Sequence, residues 1–178
     1  MDPLCYLTIQ EEKARYLTHN NDVNDPRYQK FVQPVIQAVI KHTQSTHRGL
    51  DYGAGTGPVI TKLLREKGYS MTTYDPFFIP DNEALKTIYD FIVCCEVVEH
   101  FHYPQHEFGR FHNLLDSDGL LVIKTELITP VIDFPNWYYI KDPTHTFFYS
   151  PKGIYLLLSQ HGFYNIEISS NLVIAKKN

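Results

Sequence analysis

The stretch Leu50-Asp51-Tyr52-Gly53-Ala54-Gly55-Thr56-Gly57-Pro58 places three glycines within five residues, between a short apolar run and a helical segment. Glycine lacks a β-carbon, so a backbone built this way can bend sharply and lie close to a ligand. Proline suits the first turn of a helix, where its missing N–H has no partner to lose. The segment therefore reads as a strand ending near Tyr52, a tight turn, and a helix over Pro58–Lys67, followed by a second strand over Tyr69–Tyr74. Asp75 stands at the end of that second strand, about twenty residues after the turn, where a carboxylate can hold the diol of a ribose. Turn and acid together read as a nucleoside site. The plainer reading is a tight turn closed by glycines, with Asp75 as an ordinary turn residue before Pro76. A dinucleotide fingerprint needs a further glycine where Pro58 stands, and Asp51 would set a carboxylate beside a pyrophosphate.

Helical and extended patterns keep alternating beyond this point. Phe91–Cys95 is a third apolar run, Pro104–Leu115 a helix, and Leu120–Thr125 a strand introduced by a turn over Asp116–Gly119. A last helix carries Ile154, Leu157, Leu158 and His161 on one side, and Ile166–Ile168 and Leu172–Ala175 read as final antiparallel strands. A mostly parallel sheet with helices on both faces accommodates this order. Only fourteen residues separate Asp75 from Asp90, too few for a helix, a strand and another helix, so an edge strand is expected to be missing or abbreviated. Before Leu50 the chain reads as helical, with Pro34 ending one piece or opening the next and Val35, Ile36, Val39 and Ile40 forming one apolar stripe. We read residues 1–178 as one domain, 1–47 as a helical N-terminal lid and 48–178 as its core.

The chain of 178 residues is 43% hydrophobic and carries a formal charge of −4, without a cluster of Lys and Arg. That composition supports a core without disulfide or metal staples and disfavours nucleic acid as a partner. No apolar run reaches membrane-spanning length, and the segment before residue 18 lacks a basic and apolar leader pattern, so no membrane association and a cytoplasmic location are expected. The three cysteines form no C-x-x-C pair, and the adjacent Cys94 and Cys95 read as small core residues.

These residues resemble the class I S-adenosylmethionine-dependent methyltransferases. The glycine turn is similar to their first motif, Tyr74-Asp75 to the acidic end of their second strand, and Asp90-Phe91-Ile92-Val93-Cys94-Cys95-Glu96 to the motif on their fourth. The resemblance covers Leu50 to the C-terminus. It implies an α/β fold, a Rossmann-like three-layer sandwich with a mostly parallel sheet and an antiparallel C-terminal strand, here shortened between strands two and four. It also implies S-adenosyl-L-methionine as cofactor, with Asp51, Tyr52, Gly53, Ala54, Gly55, Tyr74, Asp75, Pro76, Cys95 and Glu96 binding it, and a methyl acceptor that is a small molecule.

Glu96-Val97-Val98-Glu99-His100 closes the third apolar run, and His145 stands in Asp142-Pro143-Thr144-His145, just before the last helix. Both are expected in loops at the carboxyl rim of the sheet, where ligands of such folds bind. This pair of phrases, with Tyr16-Leu17-Thr18-His19-Asn20-Asn21, resembles a ubiquinone-biosynthesis-like subset of small methyltransferases. Displacement at a sulfonium needs chiefly alignment. For a hydroxyl acceptor, His145 first and His100 second are the catalytic candidates as proton acceptors, with Tyr139 and Tyr149 as helpers, against hydrogen-bonded structural roles for both histidines. Phe134, Trp137 and Tyr139 read as an apolar acceptor pocket or as core. Glu96, Glu99, His100 and His145 also permit a metal reading and are similar to the metal site of small-RNA terminal 2′-O-methyltransferases. The acidic chain argues against RNA, and no residue is assigned as a metal ligand. Two further readings are a methyltransferase-like binding module without turnover and a nicotinamide oxidoreductase. The oligomeric state is left open.

Overall fold

The computed structural model describes residues 3–19 and 21–178; of the N-terminal phrase that ends at Asn21, Asn20 lies outside the described residues. Six strands form one sheet: β1 (Arg48–Tyr52), β2 (Ser70–Tyr74), β3 (Tyr89–Cys95), β4 (Leu115–Lys124), β5 (Phe163–Ser169) and β6 (Leu172–Lys177). Their spatial order is β2-β1-β3-β4-β6-β5. β2, β1, β3 and β4 run parallel, β6 is antiparallel to β4, and β5 is antiparallel to β6, so β6 alone opposes the rest.

Side chains alternate across the sheet and divide the core into two faces. Leu50, Tyr52, Ile92, Cys94, Leu121 and Ile123 pack with Phe108, Phe111, Ile154 and Leu158 of α4 (Pro104–Leu114) and α5 (Pro151–Gln160). On the other side Met71, Phe91, Val93, Leu120 and Val122 meet α2 (Pro26–His42) and α3 (Val59–Glu66) through Val32, Val35, Ile36, Val39, Ile60 and Leu64. The result is the expected three-layer α/β sandwich.

Helix α2 runs through Pro34 without ending there. Pro34 lies on the helix's outer, less buried side, so water can meet the carbonyl that loses its partner. The buried stripe of α2 is Val32, Val35, Ile36, Ala38 and Val39, whereas Ile40 is exposed. Helix α2 thus forms part of a core layer. The shorter α1 (Ile9–Tyr16), started by a capping box between Thr8 and Glu11, lies nearer the strand ends.

No strand forms between Asp75 and Tyr89; a single bridge joins Asp75 to Ile79, and a 3-10 turn follows at Ala84–Lys86. This leaves β2 at the edge, in agreement with the short spacing in the sequence. β4 starts earlier than the glycine turn suggested. Its pairing with β3 jumps from Tyr89↔Leu115 to Phe91↔Leu120, so the Asp116–Gly119 segment bulges out of the ladder. Among the described residues no helix is long and apolar enough to cross a membrane.

Candidate active site

Tyr52, Tyr74 and Cys95 are the last residues of β1, β2 and β3, so the turns that follow these adjacent strands open onto one rim of the sheet. A cavity of about 880 Å³ lies there. Its lining contains nine of the ten residues expected as cofactor ligands: Tyr52, Gly53, Ala54, Gly55, Tyr74, Asp75, Pro76, Cys95 and Glu96. His100 and His145 line it as well. Asp51 does not. Its buried carboxylate instead accepts bonds from the backbone N–H and hydroxyl of Thr61, at 3.3 and 2.8 Å, inside the first turn of α3. Desolvation pushes its pKa up to about 6 against the opposing effect of those bonds.

Gly53 and Gly55 have φ of +80° and +60°, conformations that L side chains rarely adopt. A β-carbon at Gly53 would meet Val97 Cγ2 at 2.4 Å, whereas one at Gly55 would meet only Asn21 Nδ2, at 3.5 Å, in otherwise open space. The turn is tied to the second strand: Gly53 and Ala54 donate to the Tyr74 carbonyl, and Gly55 donates to Asp75 Oδ2 at 3.0 Å. Asp75 Oδ1 accepts from the N–H groups of Phe77 and Phe78, so three donors orient a carboxylate that still has acceptor capacity.

The cover comes from α1. Glu12, Arg15 and Tyr16 fall on one side of the helix, His19 follows in the turn beyond its end, and all four line the cavity. Arg15 bonds Asp142 at 2.7 Å, Glu12 bonds His102 at 2.9 Å, and the Tyr16 ring meets His100 edge-on. The sequence motif pointed to Tyr16 and His19 but not to Glu12 and Arg15. Their i, i+3, i+4 spacing with Tyr16 was the available signal.

Beyond β3 the chain enters a tight passage. Glu96 takes φ of +54°, uncommon for a residue with a side chain, and its N–H donates to the Lys124 carbonyl. Glu96 Oε1 pairs with the buried Lys124 Nζ at 3.1 Å, and that ammonium also lies 3.4 Å from the centre of the Phe31 ring. The Tyr139 hydroxyl donates to Glu99 Oε1 and lies 3.2 Å from Glu96 Oε2, while Thr125 Oγ1 donates to Glu99 Oε2 at 2.9 Å. One phenolic proton thus stands between two carboxyl groups. Burial pushes both carboxyl pKa values up, and for Glu96 the neighbouring Glu99 adds to it.

His100 Nδ1 donates to the Thr144 carbonyl at 3.0 Å, and His145 Nδ1 donates to the Tyr139 carbonyl at 2.7 Å. Each bond selects the tautomer that leaves Nε2 with its lone pair. The rings stand 4.7 Å apart. Burial lowers both pKa values to about 4, helped at His145 by the proximity of His100, so both imidazoles are neutral at physiological pH. Trp137 packs against Phe134, Tyr139 and Phe148 and does not line the cavity, whereas Tyr138 and Tyr139 do. Tyr149 is buried and donates to the Val98 carbonyl. Burial raises both the Cys94 and Cys95 thiols, which suits inert packing residues.

Residues 24–168 match a family described as a methyltransferase domain. No curated protein is similar in sequence. Among solved structures, a methyltransferase from Archaeoglobus fulgidus described as dependent on S-adenosylmethionine is 18% identical with a TM-score of 0.65, covering 84% of this chain and 94% of its own. Human N-acetylserotonin methyltransferase, solved with S-adenosylmethionine, is 14% identical with a TM-score of 0.61 over 84% of this chain and 53% of its own. Magnesium protoporphyrin IX methyltransferase from Synechocystis PCC 6803, solved with S-adenosylhomocysteine, is 13% identical with a TM-score of 0.59 over 95% and 94%. These likenesses are likenesses of fold.

Proposed function

We propose that this chain, which belongs to the methyltransferase-domain family, takes S-adenosylmethionine as its cofactor and moves the methyl group onto a small-molecule acceptor held beneath α1. The observation that carries this reading is the Gly55–Asp75 bond, which joins the glycine turn to the acidic strand end on the wall of one cavity. The residues present fit the cofactor. Gly55 leaves open the space that a β-carbon would fill, and the oriented Asp75 carboxylate keeps a lone pair for a ribose hydroxyl.

In this reading Tyr52, Gly53, Ala54, Gly55, Tyr74, Asp75, Pro76, Cys95 and Glu96 hold the cofactor, and Asp51 acts at one remove by fixing the start of α3 through Thr61. Bound there, S-adenosylmethionine supplies an electrophilic methyl on a neutral-leaving sulfide, so alignment accounts for most of the acceleration. His145 and His100 present unprotonated Nε2 atoms that accept the hydrogen of an incoming hydroxyl and hold its oxygen in place. The contacts of Arg15 with Asp142 and of Glu12 with His102 hold α1 over this side of the cavity. The ring surfaces of Tyr16, Phe77, Phe101 and Tyr138 support a small, largely apolar acceptor.

Calorimetric titration with S-adenosylmethionine and S-adenosylhomocysteine tests the reading. Micromolar binding is expected, weakened at least ~10-fold in Asp75→Asn, a change of about 1.4 kcal/mol. Folded protein that binds neither compound would overturn it.

A further inference from the structure

We propose that Glu99, His100 and His145 form a binding site for one divalent transition-metal ion, with the remaining coordination positions open to the cavity. One ligand atom from each of the three side chains lies within 4.8 Å of the other two. They come from separate parts of the chain. Glu99 and His100 end the 3-10 turn at Val98–His100, and His145 lies in the loop before α5. The Glu99 carbonyl accepts the N–H groups of Thr146 and Phe147 at 2.9 and 3.0 Å, which clips the His145 loop against that turn.

The surroundings are those that a metal-binding set requires. A ligating histidine generally donates its second ring N–H to a carbonyl or carboxylate, which fixes the ring and turns the other nitrogen toward the ion. Both imidazoles do this, through Thr144 and Tyr139, and among the described residues neither Nε2 has a hydrogen-bond partner. Glu99 is fully buried, and Tyr139 and Thr125 each anchor one of its oxygens. Among the described residues it has no ion-pair partner, because the nearby Lys124 is committed to Glu96. A cation bound there would supply the counter-charge that this buried carboxylate otherwise lacks. Glu96 falls outside that cluster, and its charge is already paired with Lys124.

Two imidazoles and one carboxylate suit Zn²⁺ or Co²⁺ better than Mg²⁺, which prefers all-oxygen shells. Three protein ligands with an open position mark a site that meets a substrate, in contrast to the closed four-ligand sets of structural zinc. Bond lengths of about 2.0–2.2 Å put ligand atoms roughly 3.3 Å apart, so loading draws the three side chains inward. The existence of the site is independent of the methyl-transfer reading; its use rests on it. With an ion loaded, both Nε2 lone pairs would be spent on it, and the ion in place of the imidazoles would favour loss of the proton from an acceptor hydroxyl.

The test uses the whole chain, stripped with a chelator and titrated with Zn²⁺ and with Co²⁺. One ion per chain is expected, with Co²⁺ giving visible d–d absorption. The bands should vanish in His100→Ala and in His145→Gln and persist in His47→Ala. Tyr139→Phe, which keeps all three ligands, should weaken binding by about 10- to 100-fold. Circular dichroism and S-adenosylhomocysteine titration of each variant establish that it is folded. No ion bound by protein that still binds S-adenosylhomocysteine would overturn the site alone. Undiminished Co²⁺ bands in the folded histidine variants would do the same. Ion binding without nucleoside binding would uphold the site and overturn the proposed function.

Discussion

The Phe91 ring occupies the space where Gly49 would carry a side chain: a β-carbon there would lie 2.2 Å from Phe91 Cζ and 2.6 Å from Met71 Sδ. Gly49 is paired in register with both residues, in β1 between β2 and β3, so the two large side chains close over it from either side. Glycine weakens a strand unless something else uses the room.

Gly49→Ala should therefore destabilise the protein by roughly 1–3 kcal/mol through overpacking. The paired change Gly49→Ala with Phe91→Leu should recover part of that loss. Urea denaturation of the four proteins in the cycle measures the coupling. Additive effects would mean that the two residues do not compete for one space.

Gly53 and Gly55 should separate stability from binding. Alanine at either position meets the cost of a positive φ, about 1–2 kcal/mol. Gly53→Ala adds the clash with Val97, so its melting temperature should fall further. Gly55→Ala adds no steric conflict beyond ordinary contact with Asn21 but sets a methyl group on the cavity wall. It should fold and bind S-adenosylmethionine at least ~10-fold more weakly, a difference of about 1.4 kcal/mol. Equal affinity in folded Gly55→Ala would remove the turn from the cofactor site.

Asp51 should leave a signature in the pH dependence of stability. Its folded pKa of about 6 lies above the ordinary 3.8, so the folded chain takes up this proton first. As pH falls through 6 toward 3.8, the folded state gains on the unfolded one from this group; above pH 6 the buried charge costs on the order of 3 kcal/mol. Asp51→Asn keeps an oxygen to accept from Thr61 and removes the titration. Wild-type stability should rise relative to the variant between pH 7 and pH 4. Parallel stability curves over that range would contradict the assignment.

The wall of the cavity formed by the strand ends was legible in the chain because its signals are local. A glycine turn after an apolar run, an acid at the next strand end and the short Asp75–Asp90 spacing each depend on near neighbours, and backbone sterics translate them directly into turn, strand and missing strand. Pro34 went against its local signal because its outer position lets solvent replace a lost helix bond. Asp51 was expected at the cofactor and instead reaches Thr61, since strand alternation sets its face but packing of α3 decides what waits there. Glu96, Glu99, His100 and His145 could be named together from the sequence, but that His145 meets Glu99 and His100 while Lys124 takes Glu96, and that Arg15 supplies cover through Asp142 more than a hundred residues away, arise from long-range contacts. Spacing along the chain carries no term for a distance closed by folding; it names the groups able to react, and the packed loops determine which of them meet.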